Sequence, residues 1–600
     1  MPAATVGRRL TLLAKRARPN PGSSSAGSQS LRISAHGWPR GRAHSGLYFP
    51  RLGRSLSLGV VSLLGIQTTV ARKVQSVRER ARLNPVRFTF TSVVVLLGLF
   101  LRARGYLFDR HGLWLDEASW AIMLIRDPLI TLLIRPIGFM SVTKVLALAL
   151  GPTEVVLRSL SWIAGVGVVL LAPALSRRLF RASAARLLFV TVLALHPAAI
   201  DLSKEFKPYS VSLFGHMAVL YLVLRYLDTQ RAAHLVAALV AAPVAGLFAQ
   251  DMVMAYPGAF LLLGWDTLRR QRHRVPWVIG GATVILLILF AQYWFIWRNL
   301  VASDEAQYWG HKYDVFYVKG PRHSHLAWWF EHYRAIAASP GLRSKYWDAA
   351  FATKDELKAL AVWDGYLWQL IQVAGLVSLA VFRRAREAVV LLLPFATITF
   401  MNTTGHWPFG MFRTNLFLLG YAAAIAAMAF EWMAFEREGA ATPWLAVVPA
   451  TLLVLLPLAV FDRSWNARKR ALTYDTDMPL MLKALTEREP VPESGEKIVL
   501  IVSRRTCDPY EYYSTLNPYT TRKYRKKLER TFDVRCFMSS EELEQTLPEL
   551  VPPEGHAWLL TDMGGPELEG LGKRLRRRVT FERKFFALPH KLVELTRVAR

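Results

Sequence analysis

Long apolar runs dominate this chain and constrain its fold more than any other feature. A helix needs about 20 mostly apolar residues to cross the hydrocarbon of a bilayer. Runs of that kind lie at about 88–104, 155–176, 183–200, 209–227, 232–250, 253–268, 276–298, 366–382, 387–403, 411–433 and 443–461. Water cannot satisfy backbone polar groups at that depth, so each run must pair them internally as a helix. The expected fold is an α-helical polytopic membrane protein with about eleven transmembrane helices. The apolar stretch 137–150 is shorter and reads as a helix that lies at the interface or re-enters. Composition agrees: 52% of the 600 residues are hydrophobic and 19 are Trp, too apolar for an ordinary soluble protein.

Charge sorts the connections. The net charge is +31 at pH 7, and Arg and Lys cluster at 72–87, 177–186, 225–231, 269–274 and 383–386, which are alternate connections. Cytoplasmic loops hold the excess of Lys and Arg. The expectation is a multi-pass cell (inner) membrane protein with its N-terminus in the cytoplasm. Connections 105–135, 201–208, 299–362 and 403–410 then face outward, and an odd number of spans places the C-terminal segment outside too. About half of the charge sits in residues 1–87, with 16 Lys and Arg against one Glu. Such a tail resembles a transit peptide in composition; the plainer readings, a disordered basic segment facing lipid or an over-extended start, are favoured. No nucleic-acid-binding module accompanies the charge, so no nucleic acid partner is expected.

Three parts follow: a basic cytoplasmic tail at 1–87, a transmembrane domain at 88–462 with external loops 105–154 and 299–362, and an extracytoplasmic domain at 463–600. In the last, "KIVLIVS" (497–503), "FDVRCF" (532–537) and "HAWLLTD" (556–562) read as strands separated by helical or loop segments, a small α/β layer domain. It has no glycine-rich phosphate loop and no catalytic signature, so a stabilising or docking role is expected. Both cysteines, Cys507 and Cys536, fall here. An oxidising compartment would permit a disulfide, but sequence does not fix the geometry that one requires. Loop 299–362 is rich in Trp and Tyr, which favour membrane interfaces and also stack on sugars. Its "RHSH" (322–325) with His332 matches no strong metal-binding spacing, so no metal ligands are assigned and a divalent metal stays open.

The stretch "GLWLDEASWAIML" (112–124) holds two adjacent carboxylates, Asp116 and Glu117, inside an apolar run just after the first span. An acid in the membrane core costs at least ~2.5 kcal/mol, which points to a site at the membrane surface. On the same expected face, "HPAAIDLSKEFKPYS" (196–210) adds Asp201, Lys204, Glu205, Lys207 and Tyr209. "GHWPFGMFRTNLFLL" (405–419) adds Arg413 at the start of a late span. Arg135 follows the acid pair, in "RPIGF". Glu154 and Arg158, four apart on one helix, read as a structural pair. His196, His311 and His406 read as local hydrogen-bonding groups.

The order of these segments resembles the C-type (GT-C) membrane glycosyltransferases, the superfamily of the protein O-mannosyltransferases and aminoarabinose transferases. Asp116-Glu117 match that family's first-loop acid pair, Arg135-Pro136 its basic-Pro element, and Gly151, Glu154 and Arg158 the start of its next span. Glu205-Phe206-Lys207-Pro208-Tyr209 resemble its second motif, with Lys where Arg is common. "HWPFGMFR" resembles its Tyr-Pro…Arg element, with Trp407 in place of Tyr. The resemblance covers roughly residues 88–430. It implies transfer of a sugar from a polyprenyl-phosphate carrier to an acceptor on the external membrane face, with inversion at the anomeric carbon. Catalytic candidates are Asp116 as general base, Glu117, which more readily orients the loop, and Glu205. Arg135, Lys207, Tyr209 and Arg413 are the substrate-binding candidates, the cations suiting a leaving phosphate.

Two other classes fit parts of the pattern. A transporter or lipid flippase tends to show repeated halves with interrupted spans meeting near the midplane, and no internal repeat is evident. A non-catalytic envelope scaffold suits the external domain but not the conjunction of motifs. Geometry discriminates: a transferase needs Asp116, Glu205 and Arg135 to converge in one cavity. The sugar, the acceptor (protein, glycolipid or polysaccharide) and the oligomeric state are not written in the sequence.

Overall fold

The structure, a computed structural model, describes residues 85–107, 112–128 except 114, 135–298, 325–337, 355–409 and 413–431. It also describes 478–598, apart from breaks at 538–539, 562, 564, 577 and 588–589. The basic tail to residue 84, the apolar run at 443–461 and most of loop 299–362, including 322–324, lie outside the described residues. The account below concerns the compact unit Val93–Arg600.

The apolar runs fold as helices: α1 (Pro85–Leu107), α2 (Leu115–Arg126), α3 (Ile137–Leu150), α4 (Glu154–Leu179), α5 (Ser183–Leu195), α6 (Tyr209–Thr229) and α7 (Ala232–Phe248). After them come α8 (Tyr256–Arg270), α9 (Val275–Gln292), α10 (His325–Ala337), α11 (Asp355–Val381), α12 (Ala385–Thr403) and α13 (Leu418–Met428). Among the described residues five helices are long and apolar enough to cross a membrane: Glu154–Leu179, Tyr209–Thr229, Arg272–Phe295, Trp363–Val381 and Ala385–Thr403. A sixth span forms if Ser183–Leu195 and Pro197–Lys204, bent by 47°, count as one. The runs at 232–250, 253–268 and 411–433 give helices of 17, 15 and 11 residues, so their regular parts are shorter than the apolar runs. At 1.5 Å per residue the 14-residue α3 covers only about 21 Å. It buries Phe139, Met140, Thr143 and Ala147, consistent with a helix that does not cross.

The bend after α5 has a specific cause. Pro197 has no N–H and cannot bond the Leu193 carbonyl. Arg102 of α1, fully buried, replaces it: Nη2 donates to Leu193 O at 3.1 Å and Nη1 to Ala194 O at 2.5 Å. Gly98 makes the approach feasible, because a Cβ there would stand 2.8 Å from Ala194 O. The broken span is thereby fixed just before the segment that carries Glu205 and Lys207.

The C-terminal domain begins with α14 (Met478–Arg488) and continues through β1 (Ile498–Ser503), α15 (Arg504–Glu511), α16 (Pro518–Thr531), β2 (Phe532–Phe537) and α17 (Ser540–Leu550). It closes with β3 (His556–Thr561), α18 (Gly565–Leu575), β4 (Val579–Ala587) and β5 (His590–Arg597). The sheet order is β2-β1-β3-β5-β4. β1 pairs parallel to β2 and β3, and β5 pairs antiparallel to β3 and β4. One sheet face packs on α17 and α18, through residues such as Leu547, Leu559 and Leu571. The other shares a hydrophobic core with the membrane domain, in which Leu500, Val502, Tyr513 and Trp558 join Leu113, Trp120, Phe139 and Phe206.

This second face is the docking surface. Tyr513 Oη accepts from the Leu113 N–H at 2.8 Å, and Tyr512 Oη donates to Pro152 O at 2.7 Å. Asn517 Nδ2 donates to Glu154 at 3.0 Å. Glu511 ion-pairs with Arg126 at the end of α2, and Asp508 is bonded by Ser119. The C-terminal domain therefore braces the helix that carries the acid pair.

Candidate active site

Asp116 and Glu117 occupy the first turn of α2, where the helix dipole favours carboxylates. Adjacent in sequence, they point into different environments. Glu117 is fully buried. Arg158 of α4 grips it with Nε at 2.9 Å from Oε1 and Nη2 at 2.5 Å from Oε2, and the Phe206 N–H also donates to it. Arg158 Nη2 further reaches the Gly112 carbonyl at 2.7 Å. One carboxylate thus ties together the first loop, α4 and the 205–208 loop. Arg158 makes its close ion pair here, while Glu154, its expected partner by helix spacing, acts on it through its charge. A buried carboxylate needs a counter-charge far more than a surface one does.

Asp116 is more open, with 39% of its side chain exposed, and is ion-paired to Arg413 Nη2 at 2.6 Å. Arg413 opens a short turn, Arg413–Asn415, ahead of α13. Its guanidinium carbon also lies 5.9 Å from the Tyr209 ring. One turn beyond Asp116, buried Trp120 lines the site. Lys207 Nζ stands 3.7 Å and Arg135 Cζ 4.8 Å from its ring centre. Such cation–π contacts hold the two cations together on one aromatic platform. Phe206 packs edge-on to Trp120 at 6.1 Å and stacks on Phe139 at 5.7 Å.

The loop bearing Glu205 and Lys207 is fixed by its backbone. The Phe206 N–H goes to Glu117 and the Lys207 carbonyl accepts from Ser161 at 2.6 Å. Burial pushes the Glu205 carboxyl up to about 7; Arg413 and Lys207 oppose this, while Glu117 and Asp201 reinforce it. Burial holds the Lys207 ammonium well below the ordinary lysine range. The charges of Arg135 and Arg413 add to that shift, and those of Asp116 and Glu117 resist it. Asp116, Glu205, Arg135, Lys207, Tyr209 and Arg413 thus stand within electrostatic reach of one another at one end of the bundle. Glu117 adjoins them but has both oxygens engaged.

Sequence reasoning missed several residues. Trp120 is found only by noticing that it falls four residues after Asp116, on the same helix face. Deeper in the bundle, Ser212 and His216 of α6 meet Asp251: Ser212 Oγ bonds its carboxylate, and His216 Nε2 lies 3.8 Å from it. His216 Nδ1 lies 3.1 Å from Tyr421 Oη, and Phe417 stacks on the His216 ring at 4.4 Å. The signal was Asp251 itself, an acid inside "AQDMVMA". On α10, His332 stacks on Trp328 at 3.7 Å and the helix packs around Phe409 of the "HWPFGMFR" segment. Among the described residues no three His, Cys, Asp or Glu side chains gather as a metal ion would require.

Residues 135–296 match the family model described as dolichyl-phosphate-mannose-protein mannosyltransferase. The match takes in Arg135, Glu205, Lys207 and Tyr209 and bears out the resemblance to C-type membrane glycosyltransferases. Among solved structures the chain is similar to ArnT from Cupriavidus metallidurans in the apo state, at 13% identity and TM-score 0.44, over 84% of this chain and 97% of that one. It is also similar to ArnT from Cupriavidus metallidurans bound to undecaprenyl phosphate, at 13% identity and TM-score 0.43, over 86% and 98%. No curated protein matches the sequence.

Proposed function

We propose that this chain is a membrane glycosyltransferase that moves a sugar from a polyprenyl-phosphate carrier to an acceptor on the external face of the cell membrane. The alternation of basic connections in the sequence, read with a cytoplasmic N-terminus, supports that face. The observation that supports this reading best is the meeting of Arg135 and Lys207 on Trp120 with the Arg413–Asp116 pair and Glu205 within electrostatic reach. The matched family is itself named for a lipid-phosphate-linked sugar.

The chemistry follows from the charges. The acceptor hydroxyl or amine attacks the anomeric carbon while the bond to the phosphate oxygen breaks. Attack opposite the leaving phosphate inverts that carbon. The departing phosphate gains negative charge, and Arg135, Lys207 and Arg413 are placed to stabilise it. Asp116 takes the acceptor's proton. Its pairing with Arg413 makes the two roles complementary: as Arg413 turns to the phosphate, Asp116 is released to act as base. Glu117 positions the first loop through Arg158, and Glu205 orients the acceptor side or steadies Lys207. Tyr209 lines the donor pocket beside Arg413.

The test is transfer by the purified protein in lipid nanodiscs, with a panel of labelled polyprenyl-phosphate sugars. Asp116→Asn is expected to lower turnover at least ~10²-fold, the span attributed to a general base, while donor binding persists. Turnover unchanged in that variant would remove Asp116 from the reaction.

A further inference from the structure

The chain has only two cysteines, Cys507 and Cys536, and the fold brings them to one face of one sheet. In the β1–β2 register Cys536 lies opposite Val502. Paired residues on neighbouring strands point to the same face, and Val502, with Leu500, Phe532 and Val534, faces the core shared with the membrane domain. Cys507, on α15, is buried in that same core. Its thiol donates to the Val502 carbonyl at 3.3 Å, directly beside the position that Cys536 faces. Cys536 is also the group that acts most strongly on the Cys507 thiol.

We propose that Cys507 and Cys536 are a disulfide-forming pair that ties edge strand β2 to α15, the helix docked against α2. The two sulfurs divide the work. Cys536 is exposed and Cys507 buried, so an incoming disulfide meets Cys536 first. Interaction with Cys507 lowers the Cys536 thiol's affinity for its proton below the ordinary cysteine range, against its partial burial and the charges of Glu511 and Asp508. Interaction with Cys536 and burial hold Cys507 above that range. A thiolate is the attacking species.

The exchange balances with a small or protein disulfide as oxidant. The Cys536 thiolate attacks that disulfide and releases one donor thiol, leaving a mixed disulfide. Cys507 then gives up its proton and attacks the Cys536 sulfur, releasing the second donor thiol. The two protein thiols lose two electrons and the donor disulfide is reduced to two thiols.

The linkage acts on docking, not on the site's chemistry. α15 carries Asp508, bonded by Ser119, and Glu511, paired with Arg126. Tying α15 to β2 stiffens the platform on which α2 rests.

The test uses the full chain in nanodiscs, reduced, freed of reductant and incubated with oxidised glutathione. After denaturation, a maleimide tags remaining thiols and intact mass counts them. The expected product is a monomer with neither thiol tagged, lighter by two hydrogens, which dithiothreitol returns to two tagged thiols. Cys507→Ser should instead trap a glutathione adduct on Cys536. A lasting glutathione adduct on Cys536 of the unaltered chain, two tagged thiols, or a disulfide-linked dimer would each overturn the proposal. Hydrogen exchange supplies the second readout: oxidation should slow exchange of residues 504–513, and unchanged rates would refute the stiffening of α15.

Discussion

The grip of Arg158 on Glu117 offers the sharpest test of how the site is built. Side-chain exposure is 0% for Glu117 and 11% for Arg158, so neither charge is well served by water. Glu117→Gln removes the negative charge but keeps the side chain's shape and an acceptor for the Phe206 N–H. Arg158 is left charged in a site made for a carboxylate. Breaking a buried pair from one side costs ~3–5 kcal/mol, and Arg158→Met should cost a similar amount by stranding Glu117. Removing both charges is a different perturbation. The double variant should lie closer to the unaltered protein than either single one, so the coupling energy should exceed the cost of one single change, at least ~3 kcal/mol. Equilibrium unfolding in mixed SDS micelles reads each corner of this cycle. Losses that add, leaving a coupling within ~0.3 kcal/mol of zero, would refute the clamp. Transfer activity then separates positioning from catalysis. If Glu117 only holds the loop, the double variant regains turnover along with stability; if Glu117 touches substrate, stability returns and turnover does not.

Two further expectations follow from the same geometry. Lys207 must be charged to meet a phosphate, yet burial holds its proton less tightly than usual. Affinity for a polyprenyl phosphate should therefore fall as pH rises through the shifted lysine value, by up to about tenfold per unit. Glu205, ionising near 7, adds negative charge in the same direction. Lys207→Arg should remove the lysine's share of this pH dependence and leave that of Glu205, and an unaltered titration would exclude Lys207 from the phosphate site. Tyr513→Phe deletes the acceptor of the Leu113 N–H and should lower stability by ~1–3 kcal/mol. No change in unfolding midpoint would mean that this docking bond contributes nothing.

Much of this architecture is legible in the sequence, where local pattern and charge decide the outcome. The strands at 497–503, 532–537 and 556–562 appear as β1, β2 and β3 within a residue. β4 and β5 were missed. In β4, "VTFERKFFA" shifts register between Phe581 and Lys584, so the period-two alternation that marks a strand is broken midway. The helix-forming runs were visible, but where a helix ends within its run depends on side chains distant in the chain, as Arg102 shows at the break after α5. Order and topology were enough to gather Arg135, Lys207 and Arg413 on one face. They could not foretell that Arg413 would seize Asp116, or that Arg158 would prefer Glu117 forty-one residues away to Glu154 one turn away. The docking of the C-terminal domain on the membrane domain rests on Tyr512, Tyr513 and Asn517, polar residues whose partners no local pattern announces.

The pin formed by Arg102 also bears on how the membrane domain is assembled. A solitary helix that carries an arginine into hydrocarbon meets a penalty of ~2.5–3.5 kcal/mol at its centre, less toward its ends. In the finished fold that guanidinium is fully buried and bonded to the carbonyls of Leu193 and Ala194, almost a hundred residues later in synthesis. Until α5 emerges, α1 has no such receptor, and α5 for its part ends on a proline-broken turn with a carbonyl unserved. Each segment supplies what the other lacks. The first helix therefore settles late, and a ribosome stalled before residue 193 should leave it readily displaced from the bilayer core.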